Sequence, residues 1–192
     1  LFRLVGSEMC IRDRSIISPC DEIEMKALMI KTQNFPGPIY IRIARGGEHI
    51  VTKKNEIVNF GRGNLKIKPN DYLIISTGVM TQLALKAAKI INKKVSNKCG
   101  VIHLGTVKPL DKNILKKWIP KVSKIITLEE NVIAGGFGSS ILEFCSKFLP
   151  NSTNKIRIIG LEDKFMTKYG TQAELLNINK LTIDNIIKKF KS

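Results

Sequence analysis

Ile125-Ile126-Thr127-Leu128-Glu129-Glu130-Asn131 runs into Val132-Ile133-Ala134-Gly135-Gly136-Phe137-Gly138-Ser139-Ser140, and then into Ile141-Leu142-Glu143-Phe144-Cys145-Ser146-Lys147-Phe148-Leu149. An apolar run ends in acids, a glycine-rich turn follows, and an amphipathic helix is predicted from Ser139 or Ser140. Ile141, Leu142, Cys145, Phe148 and Leu149 fall on one helical stripe, with Glu143, Ser146 and Lys147 opposite. A strand, a turn and a helix in that order are the unit from which parallel α/β sheets are built. Gly135, Gly136 and Gly138 invite comparison with a phosphate cradle at a helix N-terminus. The spacing is not G-x-G-x-x-G, and no Lys-Ser pair follows the last glycine. The reading that the spacing favours is a tight turn with close helix–strand packing.

The same unit repeats upstream and downstream. Tyr72–Ser76 reads as a strand and Gly78 as a turn; Met80, Leu83, Ala84, Ala87 and Ile91 line one face of the helix that follows. Val101–Leu104 is the next strand. Asp111 is a good N-cap for a helix with Ile114, Leu115 and Trp118 buried, broken at Pro120. Lys124–Glu129 and Lys155–Ile159 complete the strands. Thr171 and Glu174 form a capping box for a short helix carrying Leu175 and Leu176. Thr182 starts a last helix with Ile183, Ile186, Ile187 and Phe190 at i, i+3, i+4 and i+7. The β-α-β-α-β-α-β order predicts a three-layer αβα sandwich with a mostly parallel sheet of about five strands. Leu65–Ile67 is expected to be its antiparallel edge.

Before this domain the pattern changes. Ser18 and Pro19 are expected to open a helix, with Asp21, Glu22 and Glu24 in its first turns and Ile23, Ala27 and Ile30 as its apolar row. Pro36-Gly37-Pro38 is a turn, and Ile39–Arg45 a strand closed by Gly46-Gly47. Residues 15–47 thus read as a helix–strand remnant of another α/β domain, 48–65 as a linker with short strands at Ile57–Phe60 and Leu65–Ile67, and 66–192 as the regular domain. Residues 1–14 match nothing that follows; their arginines contrast with the lysine bias elsewhere, and they read as a non-native leader. Arg45, at a strand end beside two glycines, occupies the position where open α/β sheets hold ligands. It is suited to bind a phosphate or carboxylate through its planar fork; a solvated strand-end arginine is the equal alternative.

The 192 residues are 43% apolar, enough for a core, and carry a formal charge of +16. Nucleic acid is the partner such a charge first suggests. It weighs little, because the lysines are dispersed and aromatics are only 6%. There is no apolar run of membrane-spanning length and no secretory signal. Cys10, Cys20, Cys99 and Cys145 show no paired spacing and read as free thiols in a reducing cytoplasm. His49 and His103 stand too far in sequence from any cysteine or acid cluster to suggest a metal site.

Several phrases together resemble one enzyme family. Phe35-Pro36-Gly37-Pro38-Ile39-Tyr40-Ile41-Arg42-Ile43-Ala44-Arg45-Gly46 is similar to the end of the pyrimidine-binding domain of transketolase-like thiamine-diphosphate enzymes. Thr106-Val107-Lys108-Pro109-Leu110-Asp111, Leu128-Glu129-Glu130-Asn131 with Gly135-Gly136-Phe137-Gly138-Ser139, and Gly170-Thr171-Gln172-Ala173-Glu174-Leu175-Leu176 resemble successive landmarks of the family's C-terminal domain. The resemblance spans about Ser15 to Phe190. It implies a dimeric enzyme that carries carbanion chemistry on thiamine diphosphate and Mg2+. It further implies that the diphosphate-binding domain and most of the pyrimidine-binding domain lie outside this sequence, on the same chain or a separate subunit, in a homodimer or heterotetramer.

One residue carries over from the resemblance: Arg45 matches the strand-end arginine that helps bind a sugar-phosphate substrate. No catalytic, cofactor-binding or metal-ligating residue is assigned, and none of Glu22, Glu24, Glu48 or Glu56 sits in the motif of the activating glutamate. The resemblance implies that this part alone binds no thiamine diphosphate and is inactive. Its implied role is substrate-phosphate binding, dimerisation and support in an enzyme transferring a two-carbon ketol unit between sugar phosphates. The alternatives are a deoxyxylulose-phosphate synthase, or the beta-subunit module of a 2-oxo-acid dehydrogenase, which docks a partner.

Overall fold

The computed structural model describes residues 14–44, 49–94, 98–165 and 167–191. The central sheet has five strands: β3 (Asn64–Ile67), β4 (Tyr72–Ser76), β5 (Cys99–His103), β7 (Lys124–Val132) and β8 (Ile156–Leu161), in the order β3-β5-β4-β7-β8. β4, β5, β7 and β8 run parallel, and β3 pairs antiparallel to β5 as an edge. Leu73 and Ile75 of β4 point to one face and Ile74 to the other, and all three are fully buried. A strand covered on both faces is the mark of a parallel sheet between helical layers.

On one face lie α3 (Lys112–Trp118) and α4 (Phe137–Phe148), which pack Leu115, Trp118, Phe137, Ile141 and Phe144 over Leu73, Ile75, Ile102 and Ile125. On the other lie α2 (Met80–Lys94) and α6 (Ile183–Lys191), with Met80, Ala84, Ala87, Ile91, Ile186 and Phe190 over Ile74, Val101 and Ile126. The Phe190 ring stacks on Tyr72 at 4.8 Å. The expected three-layer sandwich is therefore present, with its antiparallel edge where the sequence put it. α5 (Gln172–Ile178) starts at Thr171 with both halves of the capping box formed. Asp111 caps α3, accepting the N–H groups of Asn113 and Ile114. Among the described residues no helix is long and apolar enough to cross a membrane.

The amino-terminal segment folds onto this domain rather than hanging from it. β1 (Ser15–Ile17) pairs parallel with β2 (Ile39–Ile41) and antiparallel with β6 (Thr106–Lys108), giving a second sheet in the order β2-β1-β6. α1 (Glu22–Thr32) closes a small core of Ile17, Leu28 and Val58 against it. Neither β1 nor β6 was expected, and the residues 57–60 form no strand.

Five local expectations are corrected. α1 begins at Glu22, with Asp21 rather than Ser18 as its cap: Asp21 Oδ1 accepts Glu24 N–H at 2.9 Å, while Oδ2 takes the N–H groups of Val51 and Thr52. Ser18 is spent on the domain instead, donating its N–H to Gly105 and accepting that of Gly78. The buried row of α1 is Glu24 and Leu28, whereas Ile30 is 62% exposed. α4 begins at Phe137, two residues before Ser139, because its first N–H groups have a capping partner that local sequence does not supply. Its buried stripe contains Phe137, Ile141, Phe144 and Cys145, leaving Leu142 and Phe148 partly exposed. β2 stops at Ile41, four residues short of the predicted end.

Candidate functional site

The capping partner of α4 is Glu129, from the end of β7. Its carboxylate accepts Phe137 N–H at 2.7 Å and Gly138 N–H at 2.8 Å. A carboxylate is the natural complement of a helix N-terminus. The positive end of α4 is thus filled from within, and the glycine turn serves packing rather than phosphate. Two of the glycines are closely approached: a Cβ at Gly136 would lie 2.3 Å from the Val132 carbonyl oxygen and 2.4 Å from Glu129 Oε2, and one at Gly138 2.5 Å from Thr127 Oγ1 and 2.6 Å from an Ile158 methyl. Gly135 has φ of +69°, which glycine adopts without strain. Burial raises the Glu129 carboxyl above its ordinary value, against the opposing pull of the two N–H groups and the Arg42 guanidinium.

Beside Glu129 opens a cleft of about 890 Å³. Its floor is the carboxyl end of β4 at Thr77 and of β7 at Glu129 and Asn131. From these two strand ends the chain leaves toward opposite sheet faces, to α2 after β4 and to α4 after β7. Such a switch point is where open α/β sheets form crevices that take ligands. One wall is the amino-terminal segment, through Ile16, Tyr40 and Arg42; the other is α4 with Phe144, Lys147 and Phe148. Arg42 ties the amino-terminal wall to the floor, its guanidinium donating to the Glu130 carbonyl of β7.

Arg45, the predicted substrate-binding residue, lies outside the described residues, as do Gly46, Gly47 and Glu48. The described chain leading to it, Arg42 to Ala44, is held at Arg42, whose N–H donates to Ile17 at 2.8 Å. Ile43 and Ala44 line a smaller crevice with Thr77, Gly78 and Val79.

Sequence reasoning missed a buried polar cluster. Glu24 Oε2 meets His103 Nε2 at 2.7 Å and also accepts the Cys20 N–H at 2.7 Å. The other imidazole nitrogen faces Thr81 Oγ1 at 2.7 Å, and Thr81 meets Ser76 Oγ at 2.9 Å. Glu24 is 2% exposed, and Cys20 and His103 are fully buried. Burial on its own would raise the Glu24 carboxyl; the charge and hydrogen bond of His103 and the Cys20 N–H outweigh it and hold the group below its usual range. The Cys20 thiol is pushed far up by burial, then by the Glu24 charge.

The separation of His103 from cysteines and acids along the chain is therefore not a separation in space. Ligand atoms of Cys20, Glu24 and His103 lie within 4.8 Å of one another. Each already has a hydrogen-bond partner: Glu24 Oε2 meets His103 Nε2 and accepts the Cys20 N–H, and the Cys20 thiol lies 3.5 Å from Thr52 Oγ1. The cluster fastens α1 to β5. The one sequence signal was the place of Glu24 four residues before Leu28, in line with the buried row of α1.

Comparison with known proteins agrees with this architecture. Residues 61–186 match the family model described as transketolase, C-terminal domain. The chain is 33% identical over 176 residues to 1-deoxy-D-xylulose-5-phosphate synthase of Halothermothrix orenii, covering 90% of this chain and 27% of that protein. It is 36% identical over 157 residues to the Listeria welshimeri protein of the same name, covering 79% and 24%. The chain thus spans about a quarter of the length of the curated relatives it matches. Among solved structures, a split-gene transketolase described as an inactive beta4 tetramer superposes with a TM-score of 0.82 at 26% identity, over 92% of this chain and 55% of that one.

Proposed function

The chain belongs to the transketolase C-terminal domain family, and from that premise we propose that it is the C-terminal portion of a thiamine-diphosphate-dependent, transketolase-like enzyme acting on sugar phosphates. The observation that carries this reading is likeness over 90% of the chain to an enzyme whose name specifies a sugar-phosphate product.

When bound, thiamine diphosphate with Mg2+ would supply a stabilised carbanion on the substrate carbonyl carbon. The described residues do not fit that group. The Glu24 carboxylate is spent on His103 and Cys20, and that of Glu129 on the start of α4. Binding of cofactor and metal belongs to the diphosphate- and pyrimidine-binding domains, on the same polypeptide or a separate subunit, and the portion alone is inactive. This chain's part is to bring Arg45, four residues beyond β2 in sequence, to the substrate phosphate, and to support those domains in a homodimer or heterotetramer. We place the enzyme in a reducing cytoplasm; the buried free thiols of Cys20, Cys99 and Cys145 support this.

Two reactions share a phosphorylated sugar and so share the role of Arg45. The first is transfer of a two-carbon ketol unit between sugar phosphates. The second, favoured by the names of the curated relatives, is formation of 1-deoxy-D-xylulose 5-phosphate. Product analysis of the complete enzyme separates them. In that enzyme Arg45→Ala is expected to raise KM about tenfold or more for a phosphorylated sugar, as loss of a charge-assisted contact does, and to leave a non-phosphorylated sugar little changed. Equal effects on both would remove Arg45 from the phosphate site.

A further inference from the structure

We propose that the cleft at the β4–β7 switch point binds a nucleoside phosphate. The proposal goes beyond the enzyme reading and needs neither Arg45 nor any residue outside this chain. The cleft's volume of about 890 Å³ lies within the roughly 300–1,000 Å³ typical of small-molecule sites. Two of its lining rings remain partly exposed although they sit in a cavity: Tyr40 is 50% and Phe148 38% solvent-accessible. They come from different walls, β2 and α4, and an aromatic base is the ligand part that profits from such faces.

The charge on the same walls is complementary to phosphate. Lys112 and Lys147 line the cleft. With Lys116 they place three ammonium groups at 5.6, 5.5 and 4.8 Å from the Phe148 ring centroid. The ion pairs found among the described residues, Lys66–Glu56, His103–Glu24 and Lys164–Glu162, include none of these lysines. Three like charges around one half-exposed ring repel one another, and an anion seated among them relieves that repulsion. Of the two carboxylates lining the cleft, Glu129 is turned into the start of α4, so Glu143 remains. Glu143, one helical turn before Lys147, and Ser140, two turns before it, offer acceptors to the ribose hydroxyls. Base, sugar and phosphate thus each meet a matching part of one cavity.

The test is titration of this chain with ADP, AMP, ribose 5-phosphate and pyrophosphate near physiological salt, followed by calorimetry and by amide NMR. The expected result is saturable ADP binding with a Kd below about 1 mM, tighter than ribose 5-phosphate or pyrophosphate, with shifts at Ser140 and Phe148. Lys112→Ala and Lys147→Ala are expected to weaken ADP about fivefold each, and Phe148→Ala about five- to tenfold with pyrophosphate unchanged. Phe148→Leu, which keeps apolar volume and removes the ring face, serves if the alanine variant unfolds. Absence of saturable ADP binding, or pyrophosphate binding as tightly as ADP, or indifference of ADP to all of these substitutions, overturns the proposal.

Discussion

The Glu24 carboxylate and the His103 imidazole, 79 positions apart in sequence, meet at 2.7 Å with almost no access to solvent. The pair spans the junction between α1 and β5, so it belongs to neither sheet alone. Its partners are as buried as it is: Cys20 N–H on the carboxylate side, Thr81 and Ser76 on the imidazole side.

Removal of one partner should be costly. His103→Ala leaves a buried carboxylate without its counter-group and is expected to destabilise the chain by about 3–5 kcal/mol. Glu24→Gln keeps an acceptor for the Cys20 N–H and should cost about 1–2 kcal/mol. In a double-mutant cycle the two sites should couple by at least about 1 kcal/mol. Urea denaturation measures all three; a His103→Ala cost under about 1 kcal/mol would show that the pair does not join the two parts.

The same pair sets an acid limit. Burial opposes ionisation of Glu24, but His103 prevails, so its folded value lies below the ordinary 4.5. A carboxyl of that kind contributes stability above its unfolded value and loses it as pH falls through the folded one. Asp21 acts with the same sign below 3.8, its three N–H donors from Glu24, Val51 and Thr52 outweighing burial. Stability should therefore decline as pH drops below 4.5, and Glu24→Gln should flatten part of that decline. A pH series of melting temperatures decides; parallel curves for the two proteins would refute the assignment.

Glu129 should behave in the opposite sense. Burial raises its carboxyl above 4.5 despite its two N–H donors. Its advantage over a neutral isostere is therefore complete below the unfolded value and shrinks as pH rises through the folded one. The stability gap between the natural chain and Glu129→Gln should narrow from pH 4.5 upward. Glu129→Ala strands the N–H groups of Phe137 and Gly138 and is expected to cost about 2 kcal/mol or more at any pH. Calorimetric melting across pH 4–8 tests both; a gap that widens upward would contradict the sign.

Thr127 and Gly138 face each other under α4. The Thr127 hydroxyl is buried and has no hydrogen-bond partner among the described residues, so Thr127→Val is expected to be neutral or stabilising by up to about 1 kcal/mol. Gly138→Ala would drive a methyl to 2.5 Å from that hydroxyl and should cost about 1–3 kcal/mol. Equilibrium unfolding of the two variants checks the contrast; a destabilised Thr127→Val would mean that the hydroxyl does find a partner.

Much of the fold was legible because its signals are local. Tyr72–Ser76 stood out as a short apolar run between turn residues, and the face of α2 as a helical period. Asp111 and the Thr171–Glu174 box announced their helices by capping chemistry. What stayed hidden depends on distant partners. β1 and β6 are three residues long, and Ile16 pairs with Lys108, 92 positions on, so no window along the chain contains the reason for either. The start of α4 was misplaced because its cap comes from the preceding strand, not from a serine beside it. Glu24 was taken for a first-turn acid because nothing near it hints at a histidine on β5. Arg45, proposed from its strand-end position and by resemblance, lies outside the described residues, whereas the cleft is assembled from β2, β4, β7 and α4 and has no linear motif.

The pairing of β1 with β6 also bears on how the polypeptide can be cut. The connection from α1 and β2 to β3 carries exposed apolar residues, Ile50 at 54% and Ile57 at 77%, and is an evident target for a protease. Cleavage there would not free the amino-terminal piece. The antiparallel ladder, the Ser18 hydrogen bonds to Gly78 and Gly105, the Arg42 contact and the Glu24–His103 pair would keep it seated. The nicked protein should elute as one particle from a sizing column and separate into two polypeptides only in denaturant.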